Sequence, residues 1–156
     1  DLGVIIVPLS KLTNKDNSKL YKIAEVKYAI SINDEGEIFK TTFKDYKQNI
    51  YYKDLIEKSR PGIVLFSSGS SGEPKAAVHD LTLLLKKFRG PGKSFRTINF
   101  LLFDHWGGLN TMFHTLSKGG CIIIAKDRNP DVICRTVEKH QADLLPTTPT
   151  FLNLLF

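Results

Sequence analysis

Cysteine is scarce in this chain. Cys121 and Cys134 are the only two, and neither has a Cys-x-x-Cys or metal-like spacing. That excludes a disulfide framework or a thiolate metal centre as the organising feature. Cys121 lies in a strand-like run and reads as a small buried hydrophobe, and the sparse usage suits a reducing, cytoplasmic compartment. Long apolar runs are missing too, and none approaches the length of a membrane span. The opening Asp1-Leu2-Gly3-Val4-Ile5-Ile6-Val7-Pro8-Leu9 is apolar but short and has no basic leader. It reads as a strand, not a signal peptide. No internal repeat is present. The 156 residues, 42% hydrophobic and 24% charged, suit one globular domain with a real core. The chain starts without Met and stops inside the apolar pattern Leu154-Leu155-Phe156, so a longer parent protein is expected.

Acidic residues are absent from one region where basic ones gather. The net charge is +6, and Lys86, Lys87, Arg89, Lys93 and Arg96 cluster around Gly90-Pro91-Gly92 with no acid among them. A solvated loop is the plainest reading, and an acidic partner is the alternative. The stretch carries no recognisable nucleic-acid motif, so no nucleic-acid partner is expected.

The stretch with visible chemistry runs from Gly62 to Asp80, GIVLFSSGSSGEPKAAVHD. The apolar Ile63-Val64-Leu65-Phe66 reads as a buried strand. It empties into the small polar residues Ser67, Ser68, Gly69, Ser70, Ser71 and Gly72, followed by Glu73-Pro74-Lys75. Gly69 and Gly72 permit backbone angles that a side chain would forbid. Hydroxyls and free backbone N–H groups can then crowd around one anion. Lys75 adds a mobile point charge, and Pro74 stiffens the approach to it. A Ser/Gly linker is the plain alternative, but the cluster follows a strand and ends in Pro-Lys. It is not a Walker A loop either, because Glu73 and Pro74 separate Gly72 from Lys75. The chemistry it suits is a polyphosphate, most simply that of ATP.

Ser67 to Lys75, SSGSSGEPK, resembles the phosphate-binding signature of the adenylate-forming superfamily. That superfamily includes acyl- and aryl-CoA ligases and the adenylation domains of peptide synthetases. Ala76 departs from the pattern where the family usually carries Gly, which implies a shifted or stiffer turn. His79 falls where many members have a histidine. The resemblance implies that Ser67, Ser68, Gly69, Ser70, Ser71, Gly72, Pro74 and Lys75 bind the nucleotide phosphates, with Mg²⁺ sharing the charge.

The first sixty residues read as framework. Strand is expected over Gly3–Leu9, Tyr28–Ile32 and Glu37–Thr42, with a turn at Asn33-Asp34-Glu35-Gly36. Helix is expected over Ser18–Val26, with Asn17 or Ser18 as cap, and over Tyr52–Ser59. Residues 61–80 form the phosphate-binding strand-loop-strand, with Ala76–His79 returning as the second strand of a hairpin. Beyond it, residues 81–156 alternate. Helices are expected over Leu81–Phe88, Trp106–Ser117, Pro130–Lys139 capped by Asn129, and from Thr150 onward. Between them fall strands over Thr97–Phe103, Gly120–Ala125 and Ala142–Leu145. The fold class is α/β, mainly a parallel sheet with helices on both faces.

A second motif, Leu101 to Leu109 or LLFDHWGGL, lies where a strand gives way to a helix, a favoured ligand position in α/β sheets. Asp104 can serve as the N-cap, and Gly107-Gly108 lets another chain or ligand approach the backbone closely. The stretch is similar to the superfamily's second core motif. That similarity implies that His105, Trp106, Gly107 and Gly108 line the pocket of the acid substrate. Thr147, Thr148 and Thr150 either touch substrate or cap the last helix, and the cap reading is preferred. His114 and His140 read as structural.

The resemblance covers nearly the whole chain but only part of such an enzyme. It implies an ATP-dependent ligase that joins a small carboxylic acid to AMP and passes it to the thiol of CoA or of phosphopantetheine on an acyl carrier protein. The CoA-ligase form is preferred, and peptide-synthetase adenylation or a non-catalytic nucleotide-binding module are the alternatives. No Tyr-Gly-x-Thr-Glu segment occurs, nor the later ribose-binding aspartate or the C-terminal domain with its lysine. The catalytic residues are therefore expected beyond Phe156, with no metal ligand in this chain, which by itself is expected to be inactive.

Overall fold

The computed structural model describes residues 3–10, 17–44, 49–68 and 72–155, and the chain divides into two compact units, Asp1–Thr82 and Leu83–Phe156. The first unit runs β1 (Ile5–Ile6), α1 (Ser18–Ile23), β2 (Tyr28–Ile32), β3 (Ile38–Thr42), α2 (Ile50–Glu57), β4 (Gly62–Ser68) and β5 (Pro74–Asp80). Its main sheet has the order β1-β4-β5. β1 lies parallel to β4, and β4 lies antiparallel to β5 from Gly62↔Asp80 to Ser68↔Pro74. β2 and β3 form a separate antiparallel hairpin. Its turn is closed by Asn33, whose Oδ1 accepts from the Glu37 amide and whose Nδ2 donates to Glu37 Oε2, both at 2.8 Å.

Burial explains why β4 is central. Val64 is fully enclosed, packing with Ala24 and Tyr52 in the core of this unit. The Tyr52 hydroxyl donates to the Ala24 carbonyl at 2.7 Å, so the buried phenol keeps a partner. Gly62 starts β4 because there is no room for more. A Cβ there would stand 2.8 Å from Leu55 Cδ1 and 3.1 Å from Ile5 Cγ1. α2 begins two residues earlier than its apolar spacing suggests, because Asn49 Oδ1 accepts from the Tyr51 amide at 2.9 Å and caps it there.

The second unit is entered through α3 (Leu81–Leu85), which tightens into a 3₁₀ turn over Lys86–Phe88. It continues with β6 (Arg96–Ile98), α4 (Trp106–Ser117), β7 (Cys121–Ile123), α5 (Pro130–His140) and α6 (Pro149–Leu152). β6 and β7 are parallel, and Leu144 adds a parallel bridge to Thr97. The core gathers Ile98, Phe100, Ile123, Ile133 and Phe151. α5 matches its expected span within a residue, with Asn129 Oδ1 accepting from the Asp131 amide at 2.9 Å and Pro130 in its first turn.

The class is α/β with a partly parallel sheet, and several expected elements are shorter than their apolar runs. The strand expected over Thr97–Phe103 stops at Ile98. There the Phe100 amide donates back to the Ile98 carbonyl at 3.0 Å, turning the chain. Phe100 swings into the core, its ring centroid 4.3 Å from that of Phe151. The strand expected over Ala142–Leu145 shrinks to the Leu144 bridge. Cys121 is exposed, not buried. It opens a strand whose enclosed side chain is Ile123. Among the described residues no helix is long and apolar enough to cross a membrane.

Candidate functional site

In the first unit the β4–β5 hairpin positions the serine/glycine stretch. Gly69, Ser70 and Ser71 lie outside the described residues, but both shoulders are defined. Ser67 pairs directly with Lys75, and Ser68 with Pro74. Directly opposed residues of an antiparallel pair project to one face with Cβ atoms about 5 Å apart. Ser67 and Lys75 therefore share a face at the mouth of the hairpin, and both are exposed. Gly72 has φ of +79°, and among the described residues nothing lies within 4 Å of where its Cβ would be. Its glycine identity thus serves backbone conformation, not packing.

Electrostatics at this mouth favour an anion. Glu73 is paired with Lys19 from α1. Among the described residues Lys75 has no acidic partner. At the other end of the hairpin Arg60 holds Asp80 at 2.9 Å, closing the base where Gly62 meets Asp80. Ala76 pairs with Phe66 inside β5, so the residue replacing the expected glycine sits in a strand and needs no positive φ. His79, opposite Ile63, is exposed.

In the second unit His105, Trp106, Gly107 and Gly108 come together at the start of α4. The N-cap position belongs to His105 and not to Asp104, and the His105 side chain makes no cap bond. Asp104 is instead buried at 7% exposure, with Oδ1 3.7 Å from His105 Nε2. The His105 imidazole is open to solvent. Trp106 is partly exposed, and Lys87 Nζ sits 4.5 Å from its ring centroid while donating to Asn110 Oδ1 at 2.7 Å. The two glycines differ. A Cβ on Gly108 would fall 2.0 Å from the Leu102 carbonyl oxygen, whereas one on Gly107 would meet only Leu101 Cδ1, at 3.0 Å. The close approach at Gly108 is made by the chain's own loop.

The basic cluster is partly anchored. Besides Lys87, the Arg96 Nε donates to the His140 carbonyl at 2.8 Å, and Lys93 lies 5.1 Å from the Phe95 ring centroid. The lysine-to-tryptophan stacking was invisible in the sequence because the partners are far apart along the chain; only the basic run itself was a signal. Thr148, not Thr147 or Thr150, caps α6, its Oγ1 accepting from the Phe151 amide at 3.2 Å. Among the described residues no group of three or more His, Cys, Asp or Glu is placed to hold a metal ion.

Comparison with known proteins gives this geometry a context. A family model described as AMP-binding enzyme matches residues 2–156. The nonribosomal peptide synthetase gloA of Glarea lozoyensis is 24% identical over 135 residues, covering 81% of this chain and 2% of the synthetase. The phenyloxazoline synthase MbtB of Mycolicibacterium paratuberculosis is 32% identical over 109 residues, covering 64% of this chain and 9% of the synthase. Among solved structures, the amide bond synthetase McbA of Marinactinospora thermotolerans aligns with a TM-score of 0.49 at 22% identity, over 60% of this chain and 20% of that one. The chain thus spans a small part of the relatives it matches.

Proposed function

The chain belongs to the AMP-binding enzyme family, and from that premise we propose that it carries the phosphate-gripping part of an ATP-dependent ligase that activates a carboxylate. The observation that carries the reading is the hairpin mouth. Lys75 stands across from Ser67 on one face, Gly72 holds a left-handed backbone in open space, and Glu73 is engaged by Lys19. Such a mouth fits a polyphosphate. Ser67, Ser68, Gly72 and Lys75, with Gly69, Ser70 and Ser71 between them, would hold the β and γ phosphates. In the reaction a carboxylate oxygen attacks the α-phosphorus, the bond to the bridging oxygen breaks, and pyrophosphate leaves. A thiol then attacks the carbonyl of the mixed anhydride, and AMP leaves. The work asked of this chain is positional and electrostatic. Two anions that repel must be held in line, and the charge gathering on the leaving pyrophosphate must be offset. Mg²⁺ would share that charge, but the described residues offer it no acidic cluster, so no step here is assigned to it.

His105 and Trp106, with Gly107 beside them, are proposed to line the acid pocket, while Gly108 serves the packing of α4 on the Leu101–Leu102 loop. The peptide synthetases among the relatives support an amino acid over a fatty acid as the carboxylate. They also support a carrier-bound phosphopantetheine thiol over CoA as the acceptor. The test is ATP–pyrophosphate exchange, run with amino, aryl and fatty acids on this chain and on its reading frame extended to the natural stop. Exchange dependent on amino or aryl acids, in the extended protein alone, is the expected result. Exchange driven best by fatty acids would restore the CoA-ligase reading. No exchange with any acid would leave a non-catalytic nucleotide-binding module.

A further inference from the structure

A lysine stands beside the proposed acid pocket, and the second unit holds it there. Lys87 lies in the 3₁₀ turn Lys86–Phe88. Its Nζ sits 4.5 Å from the Trp106 ring centroid and 4.8 Å from that of Phe88. The same ammonium donates to Asn110 Oδ1 at 2.7 Å. Trp106 and Asn110 are one turn apart in α4, so neighbouring positions on one face of the helix supply both contacts. An exposed lysine ordinarily keeps many rotamers open, and ordering it costs entropy. Here two rings and an amide fix where the charge stands.

The turn that carries Lys87 is itself anchored. Phe88 is buried, its ring centroid 5.7 Å from that of Phe113 in α4. Lys118, just past the end of α4, donates to the Phe88 carbonyl at 2.8 Å and also to the Gly90 carbonyl. No carboxylate answers Lys87. Residues 81–103 contain neither Asp nor Glu, and Asp104 is buried with its Oδ1 beside His105. Among the described residues Lys87 forms no ion pair. A lysine ammonium has three donors, and those not given to Asn110 are left for a ligand. Lys87 and Trp106 are both open to solvent, so a ligand can reach them.

We propose that Lys87 sets the specificity of the acid pocket, selecting a carboxylic acid that carries a second anionic group, such as a dicarboxylate or an acidic amino acid. The inference rests on the reading that places Trp106 at that pocket. The ammonium stands against the same indole, so a group on the body of the acid can meet it. A carboxylate there gains a charge-assisted hydrogen bond. A hydrocarbon tail would displace water from the ammonium and return no hydrogen bond, which is unfavourable. Polar selection of this kind is stronger than selection by hydrocarbon contacts, because the wrong substrate leaves a group of the site unpaired.

The experiment is ATP–pyrophosphate exchange by the protein extended to its natural stop, with three matched pairs of acids. They are glutamate and glutamine, adipate and its monoamide, and terephthalate and its monoamide. Each pair keeps the shape and removes one negative charge. The readout is the ratio of kcat/KM for the charged acid to that for its neutral partner, which does not depend on how much of a variant is folded. The parent is expected to prefer the charged member of at least one pair by about tenfold or more. Lys87→Met is expected to bring that ratio to about one, and Lys87→Arg to retain the preference. Lys93→Met, whose amine lies at the Phe95 ring, is expected to leave the ratio within about twofold of the parent. A parent that uses neutral acids as well as charged ones, or a ratio unchanged in Lys87→Met, would overturn the proposal and leave the ligase reading standing. Exchange with no acid of any kind would overturn the ligase reading, and this proposal with it.

Discussion

Replacing Gly108 by alanine separates a packing glycine from a ligand-facing one. The added Cβ would stand 2.0 Å from the Leu102 carbonyl oxygen, 2.5 Å from its carbon and 2.7 Å from the Leu101 oxygen. All three are backbone atoms, so no rotamer change relieves the contact, and the loop or the first turn of α4 has to move. Overpacking of this kind costs about 1–3 kcal/mol, and contact with rigid backbone puts this case at the upper end. The helix-propensity gain from Gly to Ala, about 1 kcal/mol in a helix interior, offsets part of it. A net loss of about 2 kcal/mol is expected, or a drop of about 4–8 °C in Tm for a chain of this size. Gly107→Ala is the matched control. Its Cβ meets only Leu101 Cδ1, at 3.0 Å, the end of a flexible side chain that can give way. That variant is expected within about 0.5 kcal/mol of the parent. Urea unfolding followed by far-ultraviolet circular dichroism measures both. A Gly108→Ala protein as stable as the parent would refute the packing argument and return the site to a ligand.

Three further outcomes follow from single contacts. Asn129→Ala removes the cap that accepts from the Asp131 amide and is expected to cost about 1 kcal/mol in urea unfolding, with Asn129→Ser recovering most of it. Thr115→Val leaves the enclosed Thr97 hydroxyl without its 3.0 Å partner, so a loss of about 1–3 kcal/mol is expected, and Thr97→Val together with Thr115→Val should cost less than the two single losses added. Lys87→Met takes the cation from above Trp106, the only tryptophan. A changed emission intensity and faster quenching by acrylamide are expected, with a stability change below about 1 kcal/mol.

The hairpin was legible in the sequence because every local signal agreed. An apolar run, a small polar turn and a returning strand are all short-range features; the pairing runs further than they suggest, to Ser67 with Lys75 and Ser68 with Pro74, beyond the strands expected to stop at Phe66 and to start at Ala76. α5 was legible for the same reason, since Asn129 and Pro130 mark its start and its apolar residues mark its face. The end of β6 was not. Nothing local says that Phe100 leaves the strand to stack on Phe151, because that choice depends on a residue far along the chain. The N-terminus of α4 misled in a similar way. Asp104 has the chemistry of a cap, but the approach of Leu101 and Leu102 to Gly108 fixes where the helix starts and leaves Asp104 buried. The second motif was thus found by its composition, while the division of labour between Gly107 and Gly108 emerged only from packing. Cys121 shows the limit of apolar-run reading, since a short strand can enclose one residue and expose its neighbour.

The central claim is that the hairpin mouth grips the phosphates of ATP through Lys75. The measurement that tests it most directly is ATP–pyrophosphate exchange by the protein extended to its natural stop, comparing the parent with Lys75→Ala and with Lys93→Ala. Loss of at least tenfold in Lys75→Ala, with Lys93→Ala within twofold of the parent and both variants folded, is the expected result. Exchange that is indifferent to Lys75 would contradict it.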